Sequence, residues 1–257
     1  MPNIIERPPT EEIHGYYGKA PTHGDFIGKG LPRSFKDPWD TWLQNLIAIT
    51  RKELTDDWLE LYLTCPIYRF ALSPGICGSQ AWQGVIIPSV DQVGRYYPMT
   101  LCRSIPNINN VFHFFSDHEQ WFEDAEVLIL SCLSDNFSLD VFEKDISLLD
   151  ASQNKQKKKE DEPTNFHKII QCHTKNAWRT TTTKPIQPHI YSFLLDEILK
   201  KYCLSYSLWW TAGSDRVAPS VILSQGLPPL QGSCAMLDGN WSKWGWTNNT
   251  LINCFSL

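Results

Sequence analysis

Several signatures that would settle a function quickly are missing from this sequence. No apolar run approaches the roughly 20 residues a membrane-spanning helix needs. Met1–Glu12 carries acids and prolines instead of a basic-then-apolar leader. The expectation is a cytoplasmic chain without membrane insertion. None of the eight cysteines stands in a C-x-x-C spacing, which removes the basic unit of zinc-ribbon and thioredoxin sites. Cytosolic thiols stay reduced, so Cys65, Cys77, Cys102, Cys132, Cys172, Cys203, Cys234 and Cys254 read as small buried hydrophobes. Positive charge is also in short supply, with 23 Lys and Arg against 28 Asp and Glu and a net charge of -5. Such a chain repels phosphate backbones, and no nucleic-acid partner is expected. The basic run Lys155–Lys159 is cancelled at once by Glu160, Asp161 and Glu162.

Catalytic motifs are missing in the same way. Gly24–Gly30 is one residue short of a phosphate loop, and Gly30 after Lys29 offers no hydroxyl to Mg²⁺. No Gly-x-Ser-x-Gly elbow occurs. Ser73 in Ser-Pro-Gly and Ser214 in Gly-Ser-Asp fit turns, where a serine bonds its own backbone. His167 and His173 flank Cys172, but on a strand Cys172 and His173 point to opposite faces, and the two histidines are too far apart to share one metal. His113 and His118 straddle an expected helix start. No metal and no cofactor is expected.

What is present is an ordinary globular composition, 42% hydrophobic and 20% charged over 257 residues, with eleven tryptophans. That many indoles fits a large core, an aromatic interface, or both. The clearest helix runs over Asp37–Leu54, with Asp37 as N-cap, Pro38 at the first helical position, and Trp39, Trp42, Leu43, Leu46, Ile47 and Ile49 on one face. Thr55 is expected to cap a shorter helix through Leu59. Ser116 and Glu119 make a capping-box pattern before a helix with Trp121, Phe122, Ala125, Leu128, Ile129 and Cys132 inward. A second helix follows from Ser138, and Pro188–Tyr202 reads as a third with Tyr191, Leu194, Leu195, Ile198 and Leu199 inward.

Expected strands are His14–Lys19, Ile67–Leu72, Trp82–Ile87, Met99–Arg103, Phe166–Cys172, Ser205–Thr211 and Ser220–Ser224, and Gly24–Arg33 reads as an ordered loop. Residues 1–12 read as a flexible lead-in. The segment 151–165 has no apolar anchor and is expected to be a mobile insertion in one domain spanning 13–257. Alternating helices and strands predict an α/β layered sandwich, with a mixed central sheet covered by helices on both faces.

Candidate contact residues follow from position. Asp25, Arg33, Arg95 and Arg216 are isolated charges beside apolar or glycine-rich loops, fit either for structural ion pairs or for a partner. Trp39 and Trp42 suit the core better than a surface. Trp209 and Trp210 are adjacent on a strand and face opposite ways. Arg and Trp are enriched in interface hot spots.

Three segments, in order along the chain, resemble the TagF (ImpM) family of type VI secretion-associated proteins. The first is Gly15–Pro21 with Gly24-Asp25-Phe26, Leu31-Pro32-Arg33 and Trp39–Leu43. The second is Tyr68–Gly75 with Trp82–Val85, Pro88–Asp91 and Gly94–Pro98. The third is Ser207–Thr211 with Gly213-Ser214, Pro219-Ser220 and Gly226-Leu227-Pro228. The resemblance implies a cytoplasmic accessory protein that represses assembly or firing of the secretion apparatus after translation. It implies binding without catalysis, with the forkhead-associated (FHA) scaffold protein as partner. Some relatives carry a fused phosphatase domain, for which this chain has no length. The residues expected to meet the partner are Asp25, Arg33, Trp39, Trp42, Arg95, Tyr97, Trp210, Ser214 and Arg216. Two other functions compete with this one: a structural component of the apparatus, and a serine hydrolase built on Ser73 or Ser214.

Overall fold

The structure, a computed structural model, describes residues 12–105, 110–113, 118–153, 170–171, 178–179 and 188–247. The expected lead-in up to residue 11, the polar insertion beyond residue 153, and Ser116, His167, Cys172, His173 and Cys254 lie outside these residues.

The strands are β1 (His14–Gly18), β2 (Ile27–Lys29), β3 (Tyr68–Leu72), β4 (Ala81–Ile87), β5 (Met99–Ile105), β6 (Ile170–Gln171), β7 (Trp178–Arg179), β8 (Tyr206–Thr211) and β9 (Ser220–Gln225). The helices are α1 (Arg33–Leu54), α2 (Trp58–Leu63), α3 (Glu119–Ser131), α4 (Leu139–Gln153), α5 (Pro188–Cys203) and α6 (Ala235–Asp238). Seven strands form one sheet in the order β2-β1-β5-β4-β3-β8-β9, while β6 and β7 pair separately.

Every neighbouring pair in the large sheet is antiparallel. The layered α/β reading holds, but the sheet is not mixed. A parallel pair needs a crossover that returns the chain to the same end of the sheet. Here β3–β4, β4–β5 and β8–β9 are linked by direct reversals; α1 and α2 join β2 to β3, which run the same way but are not neighbours, and the insertion between β5 and β8 joins strands that run oppositely.

Alternation along the strands divides the interior into two cores. Tyr16, Ala71, Val85, Leu101 and Leu208 face α3, α4 and α5. Their neighbours Tyr17, Phe70, Trp82, Cys102 and Trp209 face α1, α2 and α6. All residues of β4 and β5 are buried, as central strands covered on both faces must be. On the second face one cross-strand row reads Cys102, Gly84, Phe70, Trp209, Ile222. A Cβ on Gly84 would lie 2.4 Å from Phe70 Cζ and 2.6 Å from Cys102 Cβ. Glycine there lets the Phe70 ring lie across the sheet.

The aromatics of α1 close that core. Trp39 is fully buried and stacks parallel to Trp209 at 5.8 Å between centroids. Its Nε1–H donates to Thr100 Oγ1 at 3.1 Å. Trp42 donates to the Pro228 carbonyl, Trp58 to Thr50 and Trp82 to the Cys77 carbonyl. Each of these indoles satisfies the donor that burial would otherwise strand. Trp121 is an exception, buried with its Nε1–H unpaired.

Several boundaries moved. α1 begins at Arg33 with Pro32 as N-cap, so Asp37 does not cap it and Pro38 lies inside. Phe35, fully buried with its ring 4.4 Å from that of Trp82, draws the first turn into the helix. Thr55 begins a short 3-10 turn and α2 starts only at Trp58. The expected loop at Gly24–Arg33 contains β2. Residues 151–153, assigned to the mobile insertion, extend α4. The inward face of α5 is narrower than expected: Tyr191 is 62% exposed and Leu195 is also exposed, while Asp196 is buried. Cys77, Cys102, Cys132 and Cys234 are buried, as expected, and burial pushes the Cys77 thiol up to about 12.

Candidate site at the loop end of the sheet

Antiparallel pairing decides which loops share an end. The C-terminal end of β1 lies beside the start of β5, the end of β4, the start of β3, the end of β8 and the start of β9. Segments 19–26, 88–98 and 212–219 therefore emerge together, although they are far apart in sequence.

The centre of the first two segments is Asp91, only 3% exposed. Its Oδ2 accepts from Lys19 Nζ at 2.7 Å and from Arg95 Nε at 2.7 Å. Its Oδ1 accepts the backbone N–H of Val93 at 3.1 Å and of Arg95 at 2.8 Å. Burial alone would raise the carboxyl; Lys19, the Arg95 amide and the Arg95 guanidinium override it and hold Asp91 far below the usual carboxylate range. Gly94 makes the tight turn possible, with φ of 84°. The Arg95 guanidinium also donates to the Gly24 carbonyl, tying the two loops together. Ser89 Oγ donates to the Lys19 carbonyl at 2.7 Å, and the Tyr62 hydroxyl of α2 donates to the Ser89 carbonyl at 2.9 Å.

Above this polar anchor sits an aromatic one. The Phe26 ring stacks on Tyr17 at 5.3 Å and meets Tyr97 edge-on at 4.8 Å. Lys19 Nζ lies 4.8 Å from the Phe26 centroid. The Tyr97 and Tyr17 hydroxyls both donate to Asp40 Oδ1 of α1, at 2.6 and 3.2 Å. Burial first, then Asp40, pushes the Tyr17 hydroxyl up to about 12. Phe26 remains 41% exposed and the Arg95 side chain 56% exposed. Asp25 Oδ1 accepts the Phe26 amide at 2.8 Å, which orders the tip of the loop.

The structure gathers Asp25, Arg95, Tyr97, Ser214 and Arg216 at this end, Tyr97 as a buried ring against Phe26. Ser214 Oγ accepts the Val217 N–H at 3.3 Å, a turn role. Arg216 pairs with Glu60 of α2, so α2 touches both loop groups. Arg33 is exposed at the opposite end, where its neighbour Ser34 packs near Gly78 of the β3–β4 turn. Trp39, Trp42 and Tyr97 are buried, so none of the three offers a docking surface; their hydrophobic area is spent on the core. Trp210 is half-buried on the first face, its ring 4.7 Å from Phe122.

Ser73 is buried, accepting the Tyr206 amide at 2.8 Å. Neither Ser73 nor Ser214 meets a histidine or carboxylate among the described residues. Among the described residues no three His, Cys, Asp or Glu side chains converge for a metal, and no helix is long and apolar enough to cross a membrane.

Lys19, Phe26 and Asp91 were not singled out from the sequence as contact residues. Lys19 and Asp91 are 72 positions apart, and no local spacing announces such a pair. The available signal was Asp91 three residues before the turn glycine Gly94, with Arg95 next to it, a pattern common in ordinary loops.

Residues 15–149 match the model of the TagF N-terminal domain, described as type VI secretion system-associated. The chain belongs to the TagF family. The crystal structure of PA0076 from Pseudomonas aeruginosa PAO1 is similar, with 32% identity and a TM-score of 0.71, over 88% of this chain and 94% of that one. No curated protein matches the chain. Within this TagF-family chain the matched region contains the whole Lys19–Asp91–Arg95 anchor, α1 and α2, and stops before β8 and the Arg216 loop. The chain is thereby an accessory protein associated with type VI secretion.

Proposed function

We propose that this chain is a cytoplasmic post-translational repressor of type VI secretion. It acts without catalysis, by docking the loop end of its sheet on the FHA scaffold protein of the apparatus. The observation that carries the reading is the Phe26 platform: an exposed ring and an exposed guanidinium held on loops that a buried ion pair has already ordered. A pre-ordered contact surface loses little further entropy on binding, and a central aromatic beside an arginine is the composition of interface hot spots.

The test has a genetic and a physical arm. Deleting the gene in a type VI-positive bacterium raises secretion and overexpression lowers it. Tagged protein recovers the FHA scaffold from that host, and the double substitution Phe26→Ala with Arg95→Glu loses the scaffold. Unchanged secretion on both deletion and overexpression refutes repression. Full scaffold capture by the double variant refutes this face.

A further inference from the structure

The two edges of the large sheet are built differently. β2 has three residues and ends in Lys29, whose ammonium pairs with Glu143 of α4. A short strand with a charged lysine is a familiar guard against edge pairing. β9, at the other edge, has six residues, all in register with β8 on its inner side. On its outer side no strand pairs with it among the described residues. No charged residue occurs from Val217 to Pro229. Ile222 turns into the second core and is buried, while Val221 and Leu223 turn to the first face and are 67% and 44% exposed.

We infer that β9 pairs with β9 of a second copy of this chain, antiparallel, about a two-fold axis through Ile222. Opposite residues of an antiparallel pair share a sheet face, so only registers centred on a residue are allowed. Centring on Val221 sets Leu223 against Pro219, which has no N–H for a ladder. Centring on Leu223 sets Val221 against Gln225 and Ile222 against Ser224. Centring on Ile222 sets Val221 opposite Leu223 of the partner subunit, and Ser220 opposite its Ser224. It also covers the exposed apolar pair with its own equivalent. A second copy is the occupant because the strand is neutral: it does not repel itself, and it has no charge with which to select an acidic or basic guest.

An edge of six residues spans only about 20 Å, which places the contact among small, reversible interfaces. Sedimentation equilibrium of the full chain is therefore carried to roughly 100 µM. The expected result is a monomer–dimer equilibrium that the double variant V221K/L223K weakens at least tenfold, with Tm unchanged because both side chains are exposed. On mild oxidation V221C/L223C gives an interchain disulfide, since directly opposite strand residues meet its geometry; V221C alone and the parent chain do not. A parent chain that stays monomeric, or a dimer indifferent to the two lysines, overturns the proposal. A dimer weakened by the lysines but lacking the disulfide overturns the register about Ile222.

Discussion

Two ion pairs stand at the same end of the sheet and do different work. Lys19–Asp91 is buried, with side-chain exposures of 5% and 0%, and Asp91 holds three further hydrogen bonds from the Arg95 side chain and two backbone amides. Arg216–Glu60 has the same kind of groups but is open to water, with exposures of 48% and 67%. Water and salt screen the second pair, whereas removing one member of the first leaves the other charged and desolvated. The difference teaches that charge placement alone does not rank these residues; the number of groups that collapse with each one does.

The largest expected effect is that of Asp91→Ala. It strands Lys19 and unties both loops, so it should destabilise the fold by about 3–5 kcal/mol, read from urea unfolding. A loss under 1 kcal/mol would erase the contrast between the pairs. Lys19→Met should cost less, about 1–3 kcal/mol, because Asp91 keeps Arg95 and two amides and the methylene stem is replaced by an apolar one. If it costs as much as Asp91→Ala, the ammonium and not the carboxylate is the hub.

Acid sharpens the same comparison. Asp91 titrates lower in the folded state than in the unfolded chain. Its contribution is therefore complete above the unfolded carboxylate range and is lost as pH falls below about 4 towards the folded value. Unfolding followed from pH 7 down to pH 3 should show an acid-labile component that is missing in Asp91→Ala. The smallest effect is expected for Arg216→Ala, about 0–1 kcal/mol and weaker still in high salt; a larger, salt-resistant loss would mean that the Arg216 loop supports α2 after all.

Much of the fold was legible before the structure. Six of the strands in the large sheet were expected within two residues of where they lie (His14–Gly18, Tyr68–Leu72, Ala81–Ile87, Met99–Ile105, Tyr206–Thr211 and Ser220–Gln225) because their side-chain types and bounding turns are local signals. The opposed faces of Trp209 and Trp210 follow from strand period alone, and the structure buries the first in the second core and half-buries the other on the first. The start of α1 was misplaced because a capping signal at Asp37 was outweighed by burial of Phe35, a tertiary contact. The candidate site was legible in part. Asp25 and Arg95 are brought to one face, but the tie between their loops runs from Arg95 to the Gly24 carbonyl, 71 positions away in sequence. Trp39, Trp42 and Tyr97 have the residue types of an interface, and only packing reveals that they are core.

By itself the sequence determined the elements, the two-faced hydrophobic alternation and the family, since each depends on local spacing or on ordered short motifs. The tertiary structure decided the antiparallel strand order, and with it which loops share an end. It also decided which charges are dry. Both depend on contacts between residues tens of positions apart, where the free energy of burial, not local preference, selects the partner.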